Sequence, residues 1–281
     1  MLSATFYGVR GSTPCSCDST REFGGNTACV LVEVPDEPPI ICDLGTGLRY
    51  LGRDLDDRGQ SNGFAATALI SHLHWDHIQG TPFFRPLLGE GATLEIVGPR
   101  QNGSTLETEF TRFVRPPVFP VAIDQLPGDV TFRDATDEVI QVGSATVQCF
   151  DVPHIGPTNG YRIDVGSGSL AYISDHQQPM DGSLDVADSL VEACRDVDIL
   201  VHDAQFDHEE FQQRSDWGHC TPEYALELAR RSGARRLVLF HHDPGHDDAW
   251  VRATVKRIQG AAGTDVTIIG AAEGLRLESG N

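Results

Sequence analysis

Short apolar runs separated by glycine-rich turns recur along the chain. Residues 4–7, 28–34 and 39–42 are such runs, and each predicts a strand. Asp43-Leu44-Gly45-Thr46-Gly47 then reads as a strand-to-helix turn, leading into a helix over residues 48–55. Residues 67–71 form a short buried strand, and residues 93–97 and 145–151 add two more. Residues 161–165 and 169–174 form a hairpin around Gly166-Ser167-Gly168. Residues 198–202, 236–240 and 266–269 complete the strands. Thr221-Pro222-Glu223 opens a helix with a capping hydroxyl, a proline at the first position and an acid in the first turn. Ala225, Leu226, Leu228 and Ala229 give that helix an apolar face, Gly233 ends it, and residues 249–262 form a second. No Ser- or Pro-rich linker divides this schedule. It predicts one α/β domain over residues 1–281, with two layers of sheet and helices outside.

The polar residues that interrupt the pattern fall at particular places. His72 follows the run at 67–71, His154 the run ending at 152, Asp175 the run ending at 174 and His241 the run ending at 240. Four strands thus deliver a metal-capable residue at their carboxyl ends, the edge where α/β sheets place their sites. The stretch Ser71–Gly80, SHLHWDHIQG, concentrates His72, His74, Asp76 and His77. A packed core does not gather three imidazoles and a carboxylate, because each would need its own buried partner. A metal site does. If the segment is extended, residues two apart, such as His72 and His74, point the same way. Nitrogen and oxygen donors without thiolate suit Zn²⁺, with Mn²⁺ or Fe²⁺ as alternatives.

Charge and cysteines narrow the partners. The chain carries 21 Lys and Arg against 41 Asp and Glu, a net −20, and its single lysine is Lys256. Long nucleic acid is therefore disfavoured, whereas a small anion held by metal cations is compatible. The seven cysteines are scattered and odd in number, a poor disulfide framework that reads as reduced thiols. Cys15-Ser16-Cys17 is a weak candidate for a soft metal. No run of about 18 apolar residues occurs, so no membrane span is expected. Residues 1–7 lack a basic segment followed by an apolar stretch, so no signal peptide is expected and the expected location is the cytoplasm.

His72-Leu73-His74-Trp75-Asp76-His77 resembles the H-x-H-x-D-H signature of the metallo-β-lactamase superfamily, and His154, Asp175 and His241 follow in that family's order. The segments YGVRGSTP, GGNTACV, HIGPTNGYRI and GHCTPEYALELA followed by FHHDP are most similar to its phosphodiesterase branch, which includes tRNase Z and PhnP-like cyclic phosphodiesterases. The resemblance implies an αββα sandwich of two mixed β-sheets flanked by helices. It implies that His72, His74 and His154 hold a first metal, that Asp76, His77 and His241 hold a second, and that Asp175 bridges them. It further implies a metal-bridged hydroxide attacking a small or cyclic phosphodiester, a cyclic nucleotide among the options. His219 would protonate the leaving group, oriented by Asp203, and with Asp76 these make up the catalytic set. A homodimer is common among such relatives.

Competing readings are a tRNase Z-like RNA endonuclease, a lactone or thioester hydrolase of the same superfamily, and a non-catalytic metal-binding protein. Other residues stay open. His242 is second to His241, His176 either touches substrate or faces solvent, His202 supports a loop, and His246 sits in an acidic loop. Gly8–Ser12 offers backbone amides or Arg10 to a phosphate, or is a tight turn. Asn26 carries the same ambiguity. Asp43 is expected to brace the metal-bearing loop, and residues 83–150 to shape the substrate pocket.

Overall fold

The computed structural model describes residues 1–166 and 168–280. Ser167, in the expected hairpin turn, lies outside the described residues. The first seven-stranded sheet contains β1 (Ser3–Gly8), β2 (Cys29–Glu33), β3 (Ile40–Cys42), β4 (Ala65–Leu69), β5 (Thr93–Gly98), β6 (Asp129–Asp134) and the last strand, β14 (Arg276–Glu278), in the order β14-β1-β2-β3-β4-β5-β6. The second contains β7 (Val139–Val142), β8 (Ala145–Asp151), β9 (Asn159–Val165), β10 (Gly168–Ile173), β11 (Ile199–Asp203), β12 (Arg236–Phe240) and β13 (Thr267–Gly270), in the order β13-β12-β11-β10-β9-β8-β7. Both sheets are mixed. In the first, the pairings from β14 to β3 are antiparallel and those from β3 to β6 parallel. In the second, β7 to β10 pair antiparallel and β10 to β13 parallel.

Helices cover the outer faces: α1 (Leu48–Asp57) and α3 (Leu106–Phe113) on the first sheet, α4 (Asp188–Ala193), α6 (Pro222–Ser232) and α7 (Asp248–Ala262) on the second. Alternation along the strands builds these layers. Ile199 and Val201 of β11 face the inter-sheet core, while Leu200 faces the helices. Val238 and Phe240 of β12 do the same against Leu237 and Leu239. Strands buried on both faces read as continuous apolar runs, which is why they were legible. The result is the αββα sandwich, in agreement with expectation. Among the described residues, no helix is long and apolar enough to cross a membrane.

The structure departs from the expected elements in defined places. α6 begins and ends as predicted, with Thr221 capping the Tyr224 amide and Gly233 left-handed at its end. Three strands, β6, β7 and β14, were not anticipated; all lie at sheet edges. No residue of β6 is fully buried, so its sequence DVTFRD lacks an apolar run. α3, α4 and the short α5 (His208–Gln213) were also missed. The stretch after β4 is extended only through His74; Trp75–Ile78 forms a helical turn, α2.

Candidate metal centre

The carboxyl ends of β3, β4, β8, β10, β11 and β12 meet at one edge of the sandwich. β3 and β12 are followed immediately by Asp43 and His241, both left-handed at φ +58° and +59°. Non-glycine residues in that region are uncommon, although Asp and His tolerate it better than most. Such strain persists where surrounding bonds over-determine it, and it clusters at functional sites.

The seven expected metal ligands come together. His72, His74 and His154 form one group whose donor atoms lie within 4.8 Å of one another, and Asp76, His77 and His241 form another. Asp175 belongs to two further groups, with His72 and His77, and with His219 and His241. His77 Nε2 lies 3.1 Å from Asp76 Oδ2 and 3.2 Å from Asp175 Oδ2. His241 Nε2 lies 3.1 Å from Asp76 Oδ2 and 3.5 Å from Asp175 Oδ1. His72 Nε2 and His154 Nε2 are each 3.9 Å from Asp175 Oδ1. His154 Nε2 also faces His74 Nδ1 at 3.4 Å.

The outer nitrogen of four of these histidines is already engaged. His77 Nδ1 donates to Asp43 Oδ2 at 2.7 Å, His154 Nδ1 to the Gly218 carbonyl at 2.7 Å and His241 Nδ1 to Gln205 Oε1 at 2.8 Å. His72 Nδ1 meets Ser71 Oγ at 3.0 Å, and that hydroxyl donates to Asp43. We assign the Nδ1–H tautomer to all four, because carbonyl and carboxylate oxygens can only accept and the Ser71 hydroxyl, its proton given to Asp43, accepts from His72. Their Nε2 lone pairs then converge on carboxylate oxygens, acceptor facing acceptor. His72 Nε2, His77 Nε2 and Asp175 Oδ2 are buried with no hydrogen-bond partner. Cations satisfy that arrangement, and imidazoles anchored through the far nitrogen are the usual support for them. The donor set therefore fits a pair of divalent metal ions.

Electrostatics agree. Burial alone raises Asp175, yet the imidazoles of His241, His77, His72 and His154 hold its carboxyl well below the usual range. Asp76 is held low in the same way, by His77 and His241 against burial. Burial, reinforced by repulsion from neighbouring imidazoles, pushes His72 well down and His74 down to about 4, which favours the neutral, ligating form. His77 and His241 go the other way, because the carboxylates outweigh burial. Those carboxylates attract positive charge at the positions where cations would stand.

Bonds that cross the sandwich hold this edge in place. Asp43 is fully buried and also accepts from the Ser71 amide at 2.7 Å and from the Tyr172 hydroxyl at 2.8 Å. Tyr161 of β9 donates to the Ile70 carbonyl at 2.5 Å, and the Asn159 amide donates to the Ser71 carbonyl at 2.8 Å. Asp43 thus braces the loop as expected. Tyr161, Tyr172, Ser71 and Gln205 were not singled out from sequence. A tyrosine inside an apolar strand is a usable signal, since a buried hydroxyl needs a partner; Gln205 carried none.

His219 and Asp203 also meet. His219 Nδ1 donates to Asp203 Oδ2 at 3.1 Å, and Asp203 accepts further from the amides of His176 and Gln205. His219 lines a 460 Å³ cleft together with Ser12, His74, Asp76, Asp175 and His241. A larger cavity of 810 Å³ lies against Leu2, Val34 and Phe64 and holds none of the clustered histidines.

The open residues resolve as follows. Ser12 reaches the site, its amide donating to Asp76 Oδ2 at 2.7 Å. Arg10 does not: it is fully buried and donates to the carbonyls of Gly24, Asp243 and His246. His176 neither lines the cleft nor faces solvent; it is buried against His202 Nε2 at 2.9 Å. His202 donates to the Asp203 carbonyl at 2.7 Å, His242 to the Ala271 carbonyl at 2.9 Å, and His246 pairs with Glu210 at 2.8 Å. Asn26 donates to Glu273, away from the cleft. Among the described residues, neither Cys15 nor Cys17 joins a metal-capable group.

The model of the beta-lactamase superfamily domain matches residues 53–242, and the chain belongs to that superfamily. Ribonuclease Z of Bacillus subtilis (strain 168) is 27% identical over 209 residues, covering 61% of this chain and 68% of that protein. The metallo-β-lactamase fold protein YhfI of Bacillus subtilis superposes over 99% of both chains with a TM-score of 0.73 at 19% identity. A diphosphatase from the PhnP family superposes over 99% of this chain and 98% of that one, with a TM-score of 0.72 at 20% identity. These two structural likenesses speak for the fold.

Proposed function

We propose that the protein cleaves small or cyclic phosphodiesters, cyclic nucleotides among them, using two divalent metal ions, Zn²⁺ first. The observation that carries this reading is Asp175, which stands between the His72–His74–His154 group and the Asp76–His77–His241 group. His72, His74 and His154 would hold one ion, Asp76, His77 and His241 the other, and Asp175 both. When bound, such a pair supplies Lewis-acid stabilisation of the phosphate and a water acidified to neutral pH.

The remaining work falls to the chain. Asp203 accepts from His219 Nδ1, which fixes the ring and supports its doubly protonated form; from that form Nε2–H would give its proton to the leaving alkoxide, leaving the neutral imidazole. The Ser12 amide holds Asp76 Oδ2, so one carboxylate oxygen is restrained on the cleft side. The net charge of −20 favours a small anion over an extended polyanion.

Hydrolysis of bis(p-nitrophenyl) phosphate by the metal-loaded protein, against a chelator-stripped control, tests the proposal. Metal-dependent turnover is expected. No turnover with two ions bound per chain would overturn it and shift weight to lactone or thioester substrates. The relationship to a protein named Ribonuclease Z favours a second reading, RNA endonuclease. Cleavage of a precursor tRNA with small diesters untouched would decide for it.

A further inference from the structure

We infer that Trp75 and Phe113 form a stacking platform for an aromatic ring carried by the substrate, a nucleobase by class; this rests on the reading of the adjoining cleft as a phosphodiesterase site. Trp75 lies between His74 and Asp76 in the metal-binding segment, yet its residue surface is 70% exposed. Its neighbours Asp76 and His77 are buried. The fold therefore does not use the indole as core. The Trp75 ring instead packs beside Phe113, with centroids 6.2 Å apart and planes tilted by 45°.

The position of this pair makes it more than a surface patch. Leu73 and Trp75 line the 460 Å³ metal-capable cleft and also an adjoining groove of 410 Å³. Ile78, Gln101, Glu109, Arg112, Phe113 and Val118 line the rest of that groove. A diester whose phosphate sits at the histidine and aspartate cluster must project its substituents out of the cleft, and this groove shares Leu73 and Trp75 with it. The floor is apolar and aromatic. The rim carries both hydrogen-bonding senses: Arg112 donates to Glu109, and Gln101 adds an amide. Bases are recognised in this way, by stacking on aromatic side chains with polar groups at the edge. A saturated alkyl substituent would meet the apolar lining but offer neither a flat face to the indole nor a partner to the Gln101 amide.

The test is binding of adenosine 5′-monophosphate to the zinc-loaded protein by calorimetry, with ribose 5-phosphate as the probe lacking a base. AMP is expected to bind measurably and ribose 5-phosphate more weakly. Trp75→Ala is expected to weaken AMP binding about 5- to 150-fold, the range of one lost base–aromatic stack. Trp75→Phe, which keeps a ring, is expected to restore most of it, and the affinity for ribose 5-phosphate should not change in either variant. AMP that binds Trp75→Ala as tightly as the parent, AMP that binds no better than ribose 5-phosphate, or AMP that does not bind would each overturn the platform. Turnover of bis(p-nitrophenyl) phosphate is read separately. Its absence strikes the phosphodiesterase reading, whereas intact turnover with binding indifferent to Trp75 strikes the platform alone.

Discussion

Asp43 Oδ2 accepts a hydrogen bond from His77 Nδ1 at 2.7 Å, and both residues are fully buried. That bond ties the end of β3 to the metal-capable segment after β4. It sets the tautomer that aims His77 Nε2 at Asp76 and Asp175. Asp43→Asn keeps the volume and removes the charge. Its amide also presents a donor where His77, Ser71 and Tyr172 already donate. Zinc affinity is expected to fall about 10- to 100-fold, read by competition with a chromogenic chelator; an unchanged affinity would show that His77 needs no such partner.

Gly218 has φ +92°, and a Cβ there would stand 2.4 Å from His154 Nδ1. Both facts demand glycine. Gly218→Ala should push His154 away and unmake the bond to the Gly218 carbonyl. Metal content, measured by elemental analysis, is expected to fall by about one ion per chain relative to the parent while the protein stays folded.

His219→Ala and Asp203→Asn are expected to act on the leaving group. For a diester with an alkyl leaving group, kcat should fall about 10²- to 10⁴-fold, the usual contribution of a positioned acid. For p-nitrophenolate, which leaves without a proton, the loss should be far smaller. His219 also lies within 4.8 Å of Asp175 and His241, so the metal count must be read alongside. Equal losses on both substrates with two ions bound would remove His219 from the acid role.

Removing metal should cost stability without unfolding the chain. The site lies at the sheet edge, and the three apolar clusters of the sandwich contain none of its histidines or aspartates. Far-ultraviolet circular dichroism should therefore survive chelation. The melting temperature should rise on adding zinc, since each site at 100 times its dissociation constant contributes about 2.7 kcal/mol.

The cysteines should divide by reactivity. Hydrogen bonds from Ser19 and Thr20 lower the pKa of the exposed Cys17 thiol. Burial raises Cys149 and Cys194 to about 12 and Cys29, Cys42 and Cys220 well above the ordinary thiol value. The thiolate is the reactive form. At pH 8 Cys17 should be alkylated well ahead of these five, and its rate should climb with pH through a midpoint below that of a free thiol. Peptide mass mapping after brief iodoacetamide treatment checks the order.

Much of this molecule was legible in the chain itself. Central strands buried on both faces must be continuously apolar, so β2, β4, β10, β11 and β12 declared themselves, and the capping of α6 marked its ends. The cluster of candidate metal ligands was legible because imidazoles and carboxylates massed after apolar strands have few other uses. Edge strands β6, β7 and β14 bury less of themselves, so hydrogen bonding to a neighbour, which leaves no mark on composition, decided them. Tertiary structure alone decided the supports. Gln205 behind His241, Tyr172 behind Asp43 and Phe113 beside Trp75 are 36, 129 and 38 residues from their partners in sequence. No local pattern encodes such distances. They follow from which strands become neighbours, and that is settled by packing two sheets face to face around a shared apolar core.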